Sequence, residues 1–128
     1  MTPDRWTLAL DSGDLELPDG SVLVLHARAD SDFASLGDVT CVQGFAPDYD
    51  RLAARGVDVA VAAEGAFSSA LVQITKSRVG TLSAIAEALG HIPEGGLLMV
   101  DGQKEEGIEA IVRHLKKVFD VDHVYSKS

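Results

Sequence analysis

The stretch Leu97-Leu98-Met99-Val100-Asp101-Gly102 places four consecutive apolar residues before an acidic turn, and Ile92-Pro93-Glu94-Gly95-Gly96 leads into it. An apolar run bounded by glycines on both sides is typical of a strand buried on both faces, as in parallel sheets covered by helices. We therefore predict a central strand at this point, the fifth of the chain.

The residues that follow this strand predict an amphipathic helix beginning near Glu105. Apolar side chains recur at helical spacing along one stripe, formed by Ile108, Ile111, Val112, Leu115 and Phe119. Acidic residues lie early in this segment and basic residues late, which suits the helix dipole. Strand, loop and helix together make half of a βαβ unit.

The rest of the chain repeats this alternation of strands and helices. We predict further strands at 22–25, 39–42, 57–61, 67–74 and 121–125, with the one at 57–61 nearer an edge. A helix should run from Pro47 to Gly56, and another from a cap at Thr75 or Ser77 to Gly90.

An N-terminal arm, residues 5–18, precedes these strands. Its first half is compatible with a strand or a helix, and its second half, from Asp14 to Leu17, alternates like a short strand. Alternating strands and helices imply a mostly parallel, doubly wound α/β sheet. We expect residues 1–128 to form a single α/β domain.

Composition narrows the class of protein. The chain carries 20 acidic and 11 basic residues, a net charge of −9, which argues against a surface that grips nucleic acid through many cationic contacts. Apolar runs are too short to span a bilayer and the N-terminus lacks signal-peptide features, so we expect a cytoplasmic protein without a membrane partner.

The sequence gives little support for a metal site or for a catalytic nucleophile. Cys41 is the single cysteine and lies in an apolar segment, so it is more simply a buried hydrophobe than a nucleophile. None of the four histidines lies within one helical turn of another histidine or cysteine. We therefore expect no metal site.

The turn after the first core strand bears on cofactor binding. Nucleotide-like cofactors need glycines there so that backbone can approach them, but Leu25-His26-Ala27-Arg28-Ala29-Asp30 contains none. A phosphate-cradling loop of the glycine-lysine-serine type is also missing from the sequence. We predict no cofactor site in this chain.

A few polar residues follow the strands where open sheets collect functional groups. Asp101 could accept a hydrogen bond in the crevice, or could simply form a turn and cap the following helix. Lys76, Arg78 and Lys104 could form a basic rim at the same edge, although isolated surface cations are ordinary.

Several motifs resemble one enzyme family. They are Ile74-Thr75-Lys76-Ser77-Arg78, Pro93-Glu94-Gly95-Gly96, Val100-Asp101-Gly102-Gln103-Lys104, Val42-Gln43-Gly44-Phe45 and Leu8-Ala9-Leu10-Asp11-Ser12-Gly13. Together they resemble the N-terminal domain of the type C bacterial guanine-N2 methyltransferases that modify the ribosomal RNA of the small subunit.

The resemblance implies a degenerate Rossmann-like class I methyltransferase fold. Such enzymes have two methyltransferase-like domains, and the C-terminal one carries the S-adenosylmethionine site and the asparagine-proline-proline motif. The N-terminal copy supports its partner's folding and its hold on RNA. This sequence contains no asparagine-proline-proline motif, so no catalytic residue can be carried over to it.

The leading hypothesis is a non-catalytic N-terminal domain of a longer two-domain methyltransferase, inactive alone. The chain ends before the seventh strand of that fold and looks cut short. Its partners would be the C-terminal catalytic domain and the small ribosomal subunit or its 16S rRNA. The residues in contact with them would come from Lys76, Arg78, Asp101, Gln103 and Lys104. The alternatives are a stand-alone protein-interaction module and a small enzyme that binds S-adenosylmethionine or a nucleotide near Asp101.

Overall fold

The computed structural model describes residues 5–13, 17–75, 77–93, 96–102 and 107–118. Its centre is a sheet of five parallel strands. They are β1 (Val22–Leu25), β2 (Val39–Val42), β3 (Val59–Ala60), β4 (Ser69–Gln73) and β5 (Leu97–Asp101), and they lie in the order β3-β2-β1-β4-β5. The predicted doubly wound, parallel α/β fold is therefore confirmed.

Four α-helices cover the sheet in the described residues. They are α1 (Arg5–Ser12), α2 (Ala46–Ala54), α3 (Arg78–Leu89) and α4 (Ile108–Val118), and a short 3-10 turn spans Ala34–Leu36. None of the helices in the described ranges is long and apolar enough to cross a membrane.

Alternate side chains of the strands point to two separate apolar layers, as the pleat of a strand requires. On one face, Trp6 of α1 and Leu52 of α2 pack with Val24 of β1. On the other, Ile85 of α3 and Ile111 of α4 pack in the cluster that contains the next strand residue, Leu25. Burial on both faces explains why β1 is apolar throughout and why the middle of β4, residues 70–72, is apolar.

Local chemistry accounts for the helix ends. Ser77 caps α3, because its Oγ accepts a hydrogen bond of 3.0 Å from the Gly80 amide, which decides between the two predicted caps. Proline lies in the first turn of α2, and Gly56 beyond its end has a φ of 79°. The N-terminal arm, whose first half was compatible with either element, begins as helix α1.

Strand β5 differs from its prediction. Among the described strands it lies at the end of the order, next to β4 alone, and only Met99 is buried in it. An apolar run predicts that both faces of a strand are covered, but it does not indicate how many strands lie beside that strand. The predicted strand at 121–125 lies outside the described residues, and so does most of the one at 14–17.

Candidate functional site

The sheet order reverses between β1 and β4, and this is where open α/β sheets bind ligands, beyond the carboxyl ends of the strands. We call this place the switch-point crevice. It is bounded by residues 26–33 after β1, here called the β1 loop, and by Gln73 and Ile74 at the end of β4.

The β1 loop does not begin a helix. The chain leaves β1 at His26, which has a φ of 55°, and continues as irregular backbone with a turn at residues 29–30 until the 3-10 turn at Ala34–Leu36. Ala27, Ala29 and Phe33 are buried within the first apolar layer. No helix N-terminus therefore follows β1, and both the glycines and the dipole that favour a bound phosphate are missing at this turn.

Gln73 joins the β1 loop to β4 inside the crevice. Its side chain is buried, its Oε1 accepts a 2.8 Å hydrogen bond from the Arg28 amide, and its Nε2 donates to the Ser31 Oγ at 3.1 Å. The Arg28 guanidinium donates to the Ile74 carbonyl at 2.9 Å. The side chains of Gln73 and Arg28 are thus both engaged in hydrogen bonds within the protein.

Two more side chains hold the same loop from the β2 side. Gln43 donates to the Ala27 carbonyl at 2.7 Å and accepts from the Phe45 amide at 2.9 Å. Arg55, just past α2, donates to the carbonyls of Ala29 and Ser31, the latter at 2.6 Å. The β1 loop is therefore fixed from both neighbouring strands and from one helix, which leaves it little freedom to rearrange around a cofactor.

The residues predicted for the site are only partly described. Arg78 is exposed at the first position of α3, and Asp101 is half-buried as the last residue of β5. Arg78 follows β4, and Asp101 ends the neighbouring strand β5. Both residues therefore lie at the carboxyl edge of the sheet. Lys76, Gln103 and Lys104 lie outside the described residues.

Asp101 also contributes through its backbone. Its carbonyl accepts a 2.9 Å hydrogen bond from the Ile74 amide, which continues the β4–β5 pairing beyond the strands. The next residue, Gly102, packs directly on Ile74, because a Cβ at this position would lie 2.2 Å from the Ile74 Cδ1. The edge next to Asp101 is thus closely packed.

Cys41 has the environment of a structural residue. It is fully buried, and burial raises the pKa of its thiol to about 12, with a smaller opposing effect of Arg55 and a further upward effect of Asp58. A thiol with such a pKa is a poor nucleophile at neutral pH. Among the residues that the structure describes, no three histidine, cysteine or acidic side chains form a metal-binding group.

Sequence reasoning did not identify Gln73 and Arg28 as the centre of this site. A signal was present in the sequence, because Gln73 carries an amide side chain in a strand whose other residues are apolar or small. A buried amide needs partners, and finding such a residue at the end of a central strand would have pointed to the loop that follows the adjacent strand.

Neither the protein-family models nor the curated proteins contain a match to this chain. The chemistry of the site therefore rests on its own geometry.

Proposed function

We propose that this chain is the non-catalytic N-terminal domain of an S-adenosylmethionine-dependent ribosomal RNA guanine-N2 methyltransferase. It would support the folding of a C-terminal catalytic domain and help to position the RNA. The single observation that supports this role best is the switch-point crevice, where the Gln73 side chain accepts from the Arg28 amide and the Arg28 guanidinium donates to the Ile74 carbonyl. A degenerate methyltransferase-like sheet is expected to have lost its cofactor site in this way.

A scaffold also needs a surface for its partner. The three most exposed large apolar side chains of the described residues are Phe45, Val61 and Val79, at 62%, 73% and 76% exposure. They follow β2, β3 and β4 respectively, so all three lie at the carboxyl edge of the sheet. Exposed apolar groups gathered on one side of a domain are typical of a protein contact, and the catalytic domain would bind there.

The first test is to read the gene beyond the codon for Ser128. The proposal expects the frame to continue with a glycine-rich turn and an asparagine-proline-proline motif. A stop codon, or a domain without these motifs, would overturn it. In that case the same exposed apolar groups favour the second candidate, a protein-interaction module.

The second test separates scaffold from enzyme. A ligand at 100 times its dissociation constant stabilises a protein by about 2.7 kcal/mol, so binding of S-adenosylmethionine would visibly raise the melting temperature. We expect no shift with S-adenosylmethionine or S-adenosylhomocysteine, and no methyl transfer from the tritiated cofactor to small ribosomal subunits. A clear shift or incorporation above the blank would refute the scaffold role.

The third test addresses the contact surface. We expect Val79→Asp to weaken binding to the separately produced catalytic domain while leaving this domain folded, because Val79 is almost fully exposed. Ala86→Asp is the matched control, since it introduces the same charge at another exposed position of α3. If both variants bound the catalytic domain equally well, the carboxyl edge would not be part of the contact surface.

The RNA contribution can be measured separately. With a net charge of −9, this domain should hold RNA weakly, and any binding through the exposed Arg51 and Arg78 should fall as salt rises. Filter binding of a fragment of small-subunit RNA at two salt concentrations tests this. Retention that is equal at both concentrations would exclude a direct electrostatic contact.

A further inference from the structure

An open groove of about 720 Å³ lies at the amino edge of the sheet, opposite the switch-point crevice. Three segments line it, and we call it the amino-edge groove: residues 18–21 before β1, residues 66–68 before β4, and residues 90–93 with Gly96 between α3 and β5. Its size is within the range of sites that bind small molecules or a few residues of peptide.

Backbone hydrogen bonds hold the walls of the groove together. The Phe67 amide donates to the His91 carbonyl at 2.7 Å, and the Ser68 amide donates to the Ser21 carbonyl at 3.0 Å. Gly20 has a φ of 121°, and a Cβ there would lie 1.8 Å from the Ser68 Oγ. Only glycine fits this close approach, so it lets the segments before β1 and β4 lie side by side in the wall of the groove.

An aromatic pair forms part of the wall. The His91 ring meets the Phe67 ring edge to face, with centroids 6.4 Å apart and an interplanar angle of 68°. Pro18, Ile92 and Pro93 extend this apolar surface. The wall therefore suits a bulky apolar group on the ligand.

The polar groups of the groove favour a cation. The His91 Nδ1 lies 2.7 Å from the Gly65 carbonyl, which can only accept, so Nδ1 donates to it. Asp19 is exposed and makes no ion pair with another described residue, and the described residues that line the groove include no lysine or arginine. Helix α3 ends at Leu89, so its negative dipole end also faces this region.

From these observations we propose that the amino-edge groove binds a short peptide segment of a partner protein that carries an arginine or lysine beside a bulky apolar residue. The apolar side chain packs on Phe67 and His91, and the cation lies near Asp19. This site is at the opposite edge from the surface assigned to the catalytic domain, so it does not depend on the proposed function.

The test uses the full 128-residue chain labelled with ¹⁵N and three blocked tripeptides. We expect acetyl-Leu-Arg-Leu-amide to shift the amide resonances of Phe67, Ser68 and His91. Replacing the central arginine by glutamine should weaken the effect, and glutamate should abolish it. Equal shifts with all three peptides, no shifts, or shifts confined to the carboxyl edge would each overturn the proposal.

Two variants locate the cation. Asp19→Asn should weaken binding of the arginine peptide about two- to fivefold, as expected for an exposed charge pair. Asp30→Asn changes the net charge equally at an exposed position beyond β1, at the other edge, and should leave the affinity unchanged. If both variants weakened binding of the arginine peptide equally, the effect would depend only on net charge, and the proposed site would be refuted.

A third variant and a small probe complete the experiment. His91→Phe keeps an aromatic ring beside Phe67 but removes both ring nitrogens, and we expect weaker binding, with changed resonances confined to the groove and to Gly65, which loses its hydrogen bond. Arginine amide alone should bind much more weakly than the tripeptide. If it produced the full effect, the groove would be a site for small cations, and the peptide proposal would be wrong.

Discussion

Replacing Gln73 by methionine tests whether the switch-point crevice is held closed by this one buried amide. The change keeps the length of the side chain but removes the acceptor for the Arg28 amide and the donor to the Ser31 hydroxyl. Gln73 and Ser31 are 1% and 6% exposed, so water cannot easily replace the lost partners.

The expected magnitude follows from the groups left unpaired. Each buried polar group without a partner costs about 1–3 kcal/mol, and the more apolar methionine offsets about 1 kcal/mol of the total. Two such groups, less this offset, give an expected loss of about 1–5 kcal/mol in the free energy of unfolding of Gln73→Met. For a chain of this length that corresponds to a fall in melting temperature of about 4–19 °C.

Urea denaturation followed by circular dichroism measures this loss, and hydrogen exchange locates it. The Arg28 amide should exchange faster in Gln73→Met than in the unchanged protein, because its acceptor is gone. Ser31→Ala should cost less in the Gln73→Met background than alone, since the two side chains bond to each other. A loss below about 0.5 kcal/mol, or additive effects of the two substitutions, would refute this account of the crevice.

Three further predictions concern Cys41, Gly102 and His26. Because the folded pKa of the Cys41 thiol is raised from 9.0 to about 12, its stabilising effect is complete below pH 9 and is lost as the pH rises towards 12. Urea titrations across this range should show a steeper fall for the unchanged protein than for Cys41→Val, and the thiol should resist alkylation at pH 8 until the chain unfolds. Gly102→Ala should lower the free energy of unfolding by about 1–3 kcal/mol, because the new methyl group meets Ile74. Gly44→Ala has open space and should stay within about 0.5 kcal/mol, and a similar loss in both would contradict the packing argument. His26→Val should destabilise by about 1–3 kcal/mol and His26→Gly should not, because a β-branched side chain fits a positive φ poorly. The opposite order in thermal melts would mean that the turn relaxes.

Much of the fold could be predicted because its signals are local. The strands Val22–Leu25 and Val39–Val42 match their predicted bounds, since each is an apolar run between turn residues. The end of α2 was marked by Gly56, and β3, which was expected nearer an edge, lies at the end of the order of the described strands. In each case a few neighbouring residues carry the information.

The candidate site was less predictable because its contacts are distant in sequence. The missing glycines after β1 drew attention to this turn, but they did not show which side chains lie in the crevice. Gln73 and the Arg28 amide are 45 positions apart, and Gln73 and Ser31 are 42 apart. Their pairing depends on β1 and β4 becoming neighbours, and no local pattern states which strands will be adjacent.

The sequence by itself thus determined the class of fold, the number of core strands up to β5, and the lack of a glycine-rich cofactor turn. These properties depend on side-chain polarity and backbone freedom along short segments. Only the tertiary structure decided that β1 lies between β2 and β4, that Gln73 joins the β1 loop to β4, and that a groove with Asp19 and His91 forms at the other edge. Those features arise where segments far apart in the chain meet, because burial selects one arrangement of the whole sheet.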